Sequence, residues 1–358
     1  MNLIKNILNQ KTPFERDSKF RSTDFLEEIK TLMEHHYENS EGFRNIIRNN
    51  EYELTSNSLE DLPFIPTRLF KLLDLKSIPE SDIFKVMTSS GTSGQAVSKI
   101  FLDRSSASIQ TKVLKHIITS CLGNKRKDML IIDSEGTIKD RKKFSARTAG
   151  ILGFSSFGRN HTYALDEGLE LNLERVQNFI TNYSKDPVFI FGFTFMIWKN
   201  FFLKIQSENL NVCLPKNSIL LHGGGWKKLL SEQVDNKLFK ESLNKIGINN
   251  VYDYYGMIEQ TGSIFLECNQ GYFHCSDYSE IIIRNTLTLE PVAFHQEGII
   301  QVLSLLPTSY PGNSLLTEDL GMILGEDDCK CGRKGKYFAI SGRMKESEIR
   351  GCSDTRVI

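Results

Sequence analysis

The feature that most constrains this chain is a change of texture near residue 83. Before it, apolar residues fall at helical spacing, as in Phe25, Ile29, Leu32 and Met33, and again in Leu69, Leu72 and Leu73. After it, they gather into short runs at residues 83–87, 129–132, 187–191, 218–221 and 250–255, separated by glycine-bearing loops and helical stretches. Such alternation predicts βαβ units and a sheet covered on both faces. From about residue 262 the runs crowd together, at 263–267, 278–284, 299–305 and 321–324, which predicts a β-rich subdomain. The chain reads as α/β in three parts: a mostly helical stretch over 1–80, a core over 81–340, and a polar tail over 341–358.

Composition removes several classes. Apolar residues at 40% and charged residues at 25% suit a globular fold and exclude disorder. Forty-four basic residues balance forty-four acidic ones, so there is no electrostatic footprint for nucleic acid or an anionic membrane. The N-terminus lacks the apolar core and cleavage site of a secretory signal. The most apolar stretch, from Val188 to Trp198, is about half the length of a transmembrane helix. The expectation is a cytoplasmic protein with no transmembrane segment. Seven cysteines, an odd number unevenly spread, favour metal or thiol chemistry over disulfides.

Five motifs can carry chemistry. Thr88, Ser89, Ser90, Gly91, Thr92, Ser93 and Gly94 follow an apolar run, and their N–H and hydroxyl groups suit a polyphosphate cradle. No Gly-Lys-Ser/Thr follows, so this is not a Walker loop; a flexible linker is the alternative. Gly223, Gly224 and Gly225 form a turn between a strand pattern and a helix pattern, a geometry for nucleotide approach or simply a tight turn. Tyr255 and Gly256 lead to Glu259, where an aromatic can stack on a base and a carboxylate can hold Mg²⁺. Glu318 and Asp319 are paired carboxylates on an expected loop, able to receive ribose hydroxyls or to face solvent. Arg343 follows Gly342 and can reach a phosphate.

The cysteines divide in two. Cys268, His274 and Cys275 lie in one cluster, Cys329 and Cys331 in another. Two ligands from each complete a structural tetrahedral Zn²⁺ site, chosen as Cys268, His274, Cys329 and Cys331 with Cys275 as substitute; reduced buried thiols are the alternative. Cys352 stands apart in the polar tail, near Arg350, as a candidate mobile nucleophile or an incidental thiol. His35 and His36 read as solvated or half-buried residues of a helix.

Together and in this order, the five motifs resemble the adenylate-forming ligase superfamily over most of the chain, from Leu62 to Arg343. The serine-rich loop, Tyr255-Gly256 with Glu259, and the cysteines are similar to phenylacetate–CoA ligases. Ile65-Pro66-Thr67, Gly223-Gly224-Gly225-Trp226-Lys227 and the terminal Gly351-Cys352 are closer to the long-chain acyl-protein synthetases of bacterial bioluminescence. The resemblance implies the large N-terminal body of the ligase fold, with mixed sheets and helices, lacking the small C-terminal domain and its catalytic lysine. It implies that Thr88 to Gly94 hold ATP phosphates, and that Gly223 to Gly225 and Tyr255 line the adenine pocket. Glu259 with Thr92 would place Mg²⁺, Asp319 would bind ribose, and Arg343 would approach the nucleotide. It also raises the zinc reading and makes Cys352 the carrier of an acyl thioester.

The function implied is ATP-dependent activation of a carboxylic acid, expected to be a long-chain fatty acid, as acyl-AMP. Transfer to Cys352 and onward to a partner acyl reductase or acyl carrier follows. An acyl- or aryl-CoA ligase, and a non-catalytic zinc-stabilised nucleotide-binding protein, are the competing readings.

Overall fold

The computed structural model describes residues 2–54, 56–89, 96–139, 146–183, 185–226 and 232–344. The chain divides into two compact units, Met1–Cys121 with Gly256–Ile358, and Leu122–Tyr255. The first helical stretch and the β-rich region, far apart in sequence, thus belong to one unit.

The first unit begins with helices. Leu26–Asn39 buries Ile29, Leu32 and Met33, the positions marked by helical spacing. The helix also buries His36 completely, against the expectation of a solvated or half-buried ring. Its Nδ1 lies 2.8 Å from Ser77 Oγ and its Nε2 3.0 Å from the Pro307 carbonyl. Burial, with His35 adjacent, lowers its pKa to about 3, so the imidazole is neutral. Strand β1 (Ile65–Pro66) leads into a 3₁₀ turn, Thr67–Lys71. The helix expected around Leu69, Leu72 and Leu73 is only this turn, and Leu72 and Leu73 are exposed. Strands β2 (Lys85–Thr88) and β3 (Lys99–Leu102) form a separate antiparallel pair. The run at 83–87 therefore lies outside the large sheet, with Phe84 and Val86 exposed.

The second unit is a parallel sheet. Its strands are β4 (Lys127–Ser134), β5 (Gly158–Leu165), β6 (Phe189–Phe193), β7 (Ile219–Gly223) and β8 (Asn250–Tyr255), in the order β5-β4-β6-β7-β8. Continuous apolar runs such as Phe189–Phe193 suit strands buried on both faces, and all five of those residues are buried. The register sets Phe193 beside Gly223 and Gly223 beside Tyr254, which aligns the carboxyl ends where α/β sheets place ligands. β5 escaped the sequence reading because it is a half-exposed edge strand with a polar start.

The rest of the first unit is an antiparallel sheet of β9 (Phe265–Glu267), β10 (Phe273–His274), β11 (Ser279–Arg284), β12 (Gly298–Ser304), β13 (Ser314–Glu326) and β14 (Lys336–Arg343), ordered β11-β12-β13-β14-β10-β9. β1 adds in parallel to β13, pairing Ile65 with Leu315 and Pro66 with Leu316. The expected loop around Glu318 and Asp319 is part of the long strand β13, because Leu315 and Leu316 are buried and commit the backbone to the ladder. β14 runs through Arg343, so residues 341–343 are strand; residues 345–358 lie outside the described residues. β11 is buried throughout, and its Glu280 faces Arg21 at 3.4 Å and Lys336 at 3.8 Å. Arg21 also faces Asp277 at 3.5 Å. These buried charges tie the N-terminal segment to the sheet; removing one partner would leave the other uncompensated. Among the described residues, no helix is long and apolar enough to cross a membrane.

Candidate active site and metal centre

In the first unit, β2 and β3 close the base of the serine-rich loop. Ser89 N–H donates to the Ser98 carbonyl at 3.0 Å, and Ser98 N–H to Ser89 Oγ at 2.8 Å. Ser90, Gly91, Thr92, Ser93 and Gly94 lie outside the described residues.

Glu259 sits on a short 3₁₀ turn, Ile258–Gln260, and is 8% exposed. Its backbone is pinned: Tyr310 Oη donates to the Glu259 carbonyl at 2.9 Å, and Gln260 Nε2 donates to the carbonyls of Val302 and Gly312. Gly312 is required here, since a Cβ would lie 2.8 Å from the Glu259 carbonyl oxygen. Burial pushes the carboxyl pKa up, and the Ser98 hydroxyl with the Lys71 and Arg343 charges opposes that rise.

Asp319 and Arg343 are opposite one another on β13 and β14, with Arg343 Nε donating to Asp319 Oδ1 at 3.0 Å. Thr317 Oγ1 accepts from Asp319 N–H and donates to the Ile300 carbonyl, fixing the strand beneath the carboxylate.

In the second unit, Gly223 ends β7, and Gly224 and Gly225 follow with φ of +80° and +59°, in the left-handed region. A Cβ on Gly223 would meet the Tyr254 ring at 2.6 Å. The Thr194 hydroxyl donates to the Gly223 carbonyl at 3.2 Å and lies 2.9 Å from His222 Nδ1. Burial, with Lys240 nearby, lowers the His222 pKa to about 3. Tyr255, at the end of β8, is half-buried; Gly256, which begins the second segment of the first unit, is exposed.

The cysteine cluster is the most tightly built group. Ligand atoms of Cys268, His274, Cys329 and Cys331 all lie within 4.8 Å of one another. Cys331 Sγ is 3.4 Å from His274 Nε2. A Zn–S distance of about 2.3 Å in a tetrahedron gives ligand edges of roughly 3.8 Å, so the four atoms fit one ion. Two matching turns present the sulfurs. Gly271 N–H returns to the Cys268 carbonyl and Gly332 N–H to that of Cys329, with φ of +83° and +85° at the glycines. The N–H groups of Gln270 and Arg333 donate to the sulfurs of Cys268 and Cys331, each at 3.4 Å. Burial, with Arg333 nearby, lowers the His274 pKa to about 3, keeping the ring neutral as a ligand must be. Burial raises the Cys331 thiol to about 12. Cys275, held as a substitute, is not in the cluster; it is buried beside Glu280, with its thiol pKa pushed well up by burial.

Thr88, Ser89, Glu259, Asp319 and Arg343 thus belong to the first unit, and Gly223, Gly224, Gly225 and Tyr255 to the second. Cys352 lies outside the described residues. Sequence reasoning missed Ser98, Tyr310 and Thr194. Only Tyr310 carried a local signal, the turn-forming Ser309-Tyr310-Pro311-Gly312.

A model of the family described as acyl-protein synthetase, LuxE, matches residues 2–357. The chain belongs to that family. Its similar proteins include the long-chain-fatty-acid–luciferin-component ligases of Vibrio harveyi and Aliivibrio fischeri. They are 22% and 23% identical to it, over 91% and 88% of this chain and 85% and 82% of their own. A 2-hydroxyisobutyryl-CoA ligase, solved in an open conformation with 2-HIB-AMP and CoA, matches with a TM-score of 0.71 at 18% identity, over 94% of this chain and 79% of that one. That likeness establishes the α/β fold of the adenylate-forming ligases. As an acyl-protein synthetase family member, the chain is an AMP-forming ligase.

Proposed function

We propose that this chain activates a long-chain fatty acid with ATP as acyl-AMP and then passes the acyl group to Cys352 as a thioester. The observation that carries the first step is Glu259, a buried carboxyl with two cations and a hydroxyl around it in the unit that also holds Asp319 and Arg343. The relatives' names supply the acid. Mg²⁺ binds one or two carboxylates together with phosphate oxygens, and the Glu259 carboxyl would be one such donor. Glu259 and Thr92 would hold that ion, which would neutralise phosphate charge when bound. Asp319 would receive the ribose hydroxyls, and Thr88 to Gly94 the phosphates; Gly223 to Gly225 and Tyr255 would take the adenine.

In the reaction, a carboxylate oxygen forms a bond to the α-phosphorus, the bond to the β-phosphate oxygen breaks, and pyrophosphate leaves with the electron pair. The Cys352 thiolate then adds to the acyl carbonyl carbon, and AMP leaves as the carbonyl reforms. An acyl reductase or acyl carrier would be the final acceptor. Zinc on Cys268, His274, Cys329 and Cys331 would be structural, since four protein ligands leave no open position.

The test is ATP–pyrophosphate exchange across a panel of acids, followed by intact-protein mass spectrometry. Exchange with long-chain acids and an acyl adduct absent in Cys352→Ser is the expected result. Absence of exchange with every acid overturns the adenylation step; an adduct that persists in Cys352→Ser overturns the carrier role.

A further inference from the structure

Lys71 closes the 3₁₀ turn Thr67–Lys71 that follows β1. Three contacts fix where that turn sits. Pro66 pairs with Leu316 on β13, the strand that carries Asp319 three residues further on. Phe70, 1% exposed, packs edge-on against the Tyr310 ring, with centroids 6.1 Å apart. Tyr310 in turn donates to the Glu259 carbonyl. The turn is therefore tied on one side to the Asp319 strand and on the other to Tyr310, which holds the Glu259 turn, all within one unit.

Two cations act on the Glu259 carboxyl, and they differ. Arg343 is paired with Asp319 at 3.0 Å. Lys71, half-buried, makes no ion pair or hydrogen bond among the described residues, although its charge reaches Glu259. A half-buried lysine with no ion pair or hydrogen bond among the described residues, its charge reaching the Glu259 carboxyl, is suited to meet charge that appears only during reaction.

We propose that Lys71 is a catalytic residue of the adenylation step, its ammonium contacting the α-phosphate oxygens as the acid's carboxylate attacks. The inference rests on the adenylation reading above. Negative charge rises on the non-bridging oxygens and on the departing pyrophosphate as the bond to the β-phosphate oxygen breaks. Lys71 stays protonated throughout; it gives up no proton and forms no bond. Its contribution is greatest where that charge peaks, so it acts on kcat more than on ATP binding.

The experiment compares wild type, Lys71→Met and Lys71→Arg in acid-dependent ATP–pyrophosphate exchange, with thermal melting of each. Lys71→Met keeps the stem and removes the charge. It should lower kcat about 10²-fold or more, with KM for ATP changed roughly threefold or less, as for loss of one charge-stabilising donor. Lys71→Arg should recover to within about tenfold of wild type, and all three should melt alike. Exchange by Lys71→Met within twofold of an active wild type overturns the role of Lys71 and leaves the adenylation reading standing. So does a fall in melting temperature shared by both variants, which marks a structural lysine. An inactive wild type overturns the adenylation reading and this inference with it.

Discussion

The cysteine cluster and the Glu259 neighbourhood lie in the same unit and are built on opposite plans. In the cluster, four ligand atoms face one another within 4.8 Å, and backbone N–H groups hold the sulfurs in place. Each donor is spent on the same point, so the site is closed. Around Glu259 the groups come from separate segments, the two cations differ in pairing, and together with the Ser98 hydroxyl they oppose the rise that burial imposes on its carboxyl pKa without cancelling it. That site is open and costs stability. On the proposed function, the first group would hold the fold and the second would wait for substrate.

The largest expected effect comes from breaking the open site. Glu259→Gln keeps the shape and should lower exchange about 10²–10³-fold. Its stability should hold or rise. A raised carboxyl pKa contributes stability below about 4.5 that is lost as pH rises, so the ionised Glu259 is a burden at neutral pH. A variant that melts well below wild type would erase the contrast with the cluster.

The closed site should respond the other way. If the cluster holds zinc as proposed, Cys331→Ser should abolish zinc binding and lower the melting temperature by roughly 5–10 °C, at about 2–4 °C per kcal/mol. Cys275→Ser should leave metal content unchanged, because Cys275 stands outside the ligand set. Metal analysis and melting curves decide both; loss of metal in Cys275→Ser would redraw the cluster.

Acid gives the smallest and most graded effect. His36 and His222 are fully buried, with pKa values lowered from 6.5 to about 3. The unfolded chain binds protons that the folded chain refuses, so stability is intact above about pH 6.5 and falls below it, by up to ~1.4 kcal/mol per pH unit for each ring. Denaturant midpoints at pH 7.5, 6 and 5 test this. A midpoint that does not move would mean that the two rings are solvated.

The grouping of Cys268, His274, Cys329 and Cys331 was legible because each pair is local, a few residues apart around a glycine turn. Glu259 was legible because Tyr255, Gly256 and Glu259 are neighbours on the chain. Ser98, Tyr310 and Lys71 were not, since each comes from a different segment: Ser98 precedes β3, Lys71 follows β1, and Tyr310 lies before β13 and donates directly to the Glu259 carbonyl. β5 was hidden by its polar edge, and the strand through Asp319 was hidden because paired carboxylates look like a loop until Leu315 and Leu316 find their partners.

By itself, the sequence determined the alternation of strands and helices, the parallel strands of the second unit, and the two cysteine turns. These depend on short-range backbone preference and on which residues avoid water. Tertiary structure decided which cation is paired and which has no ion pair among the described residues, that Cys275 is outside the cluster, and that His36 is buried. Those outcomes depend on distances between segments far apart in sequence, which periodicity and spacing do not encode.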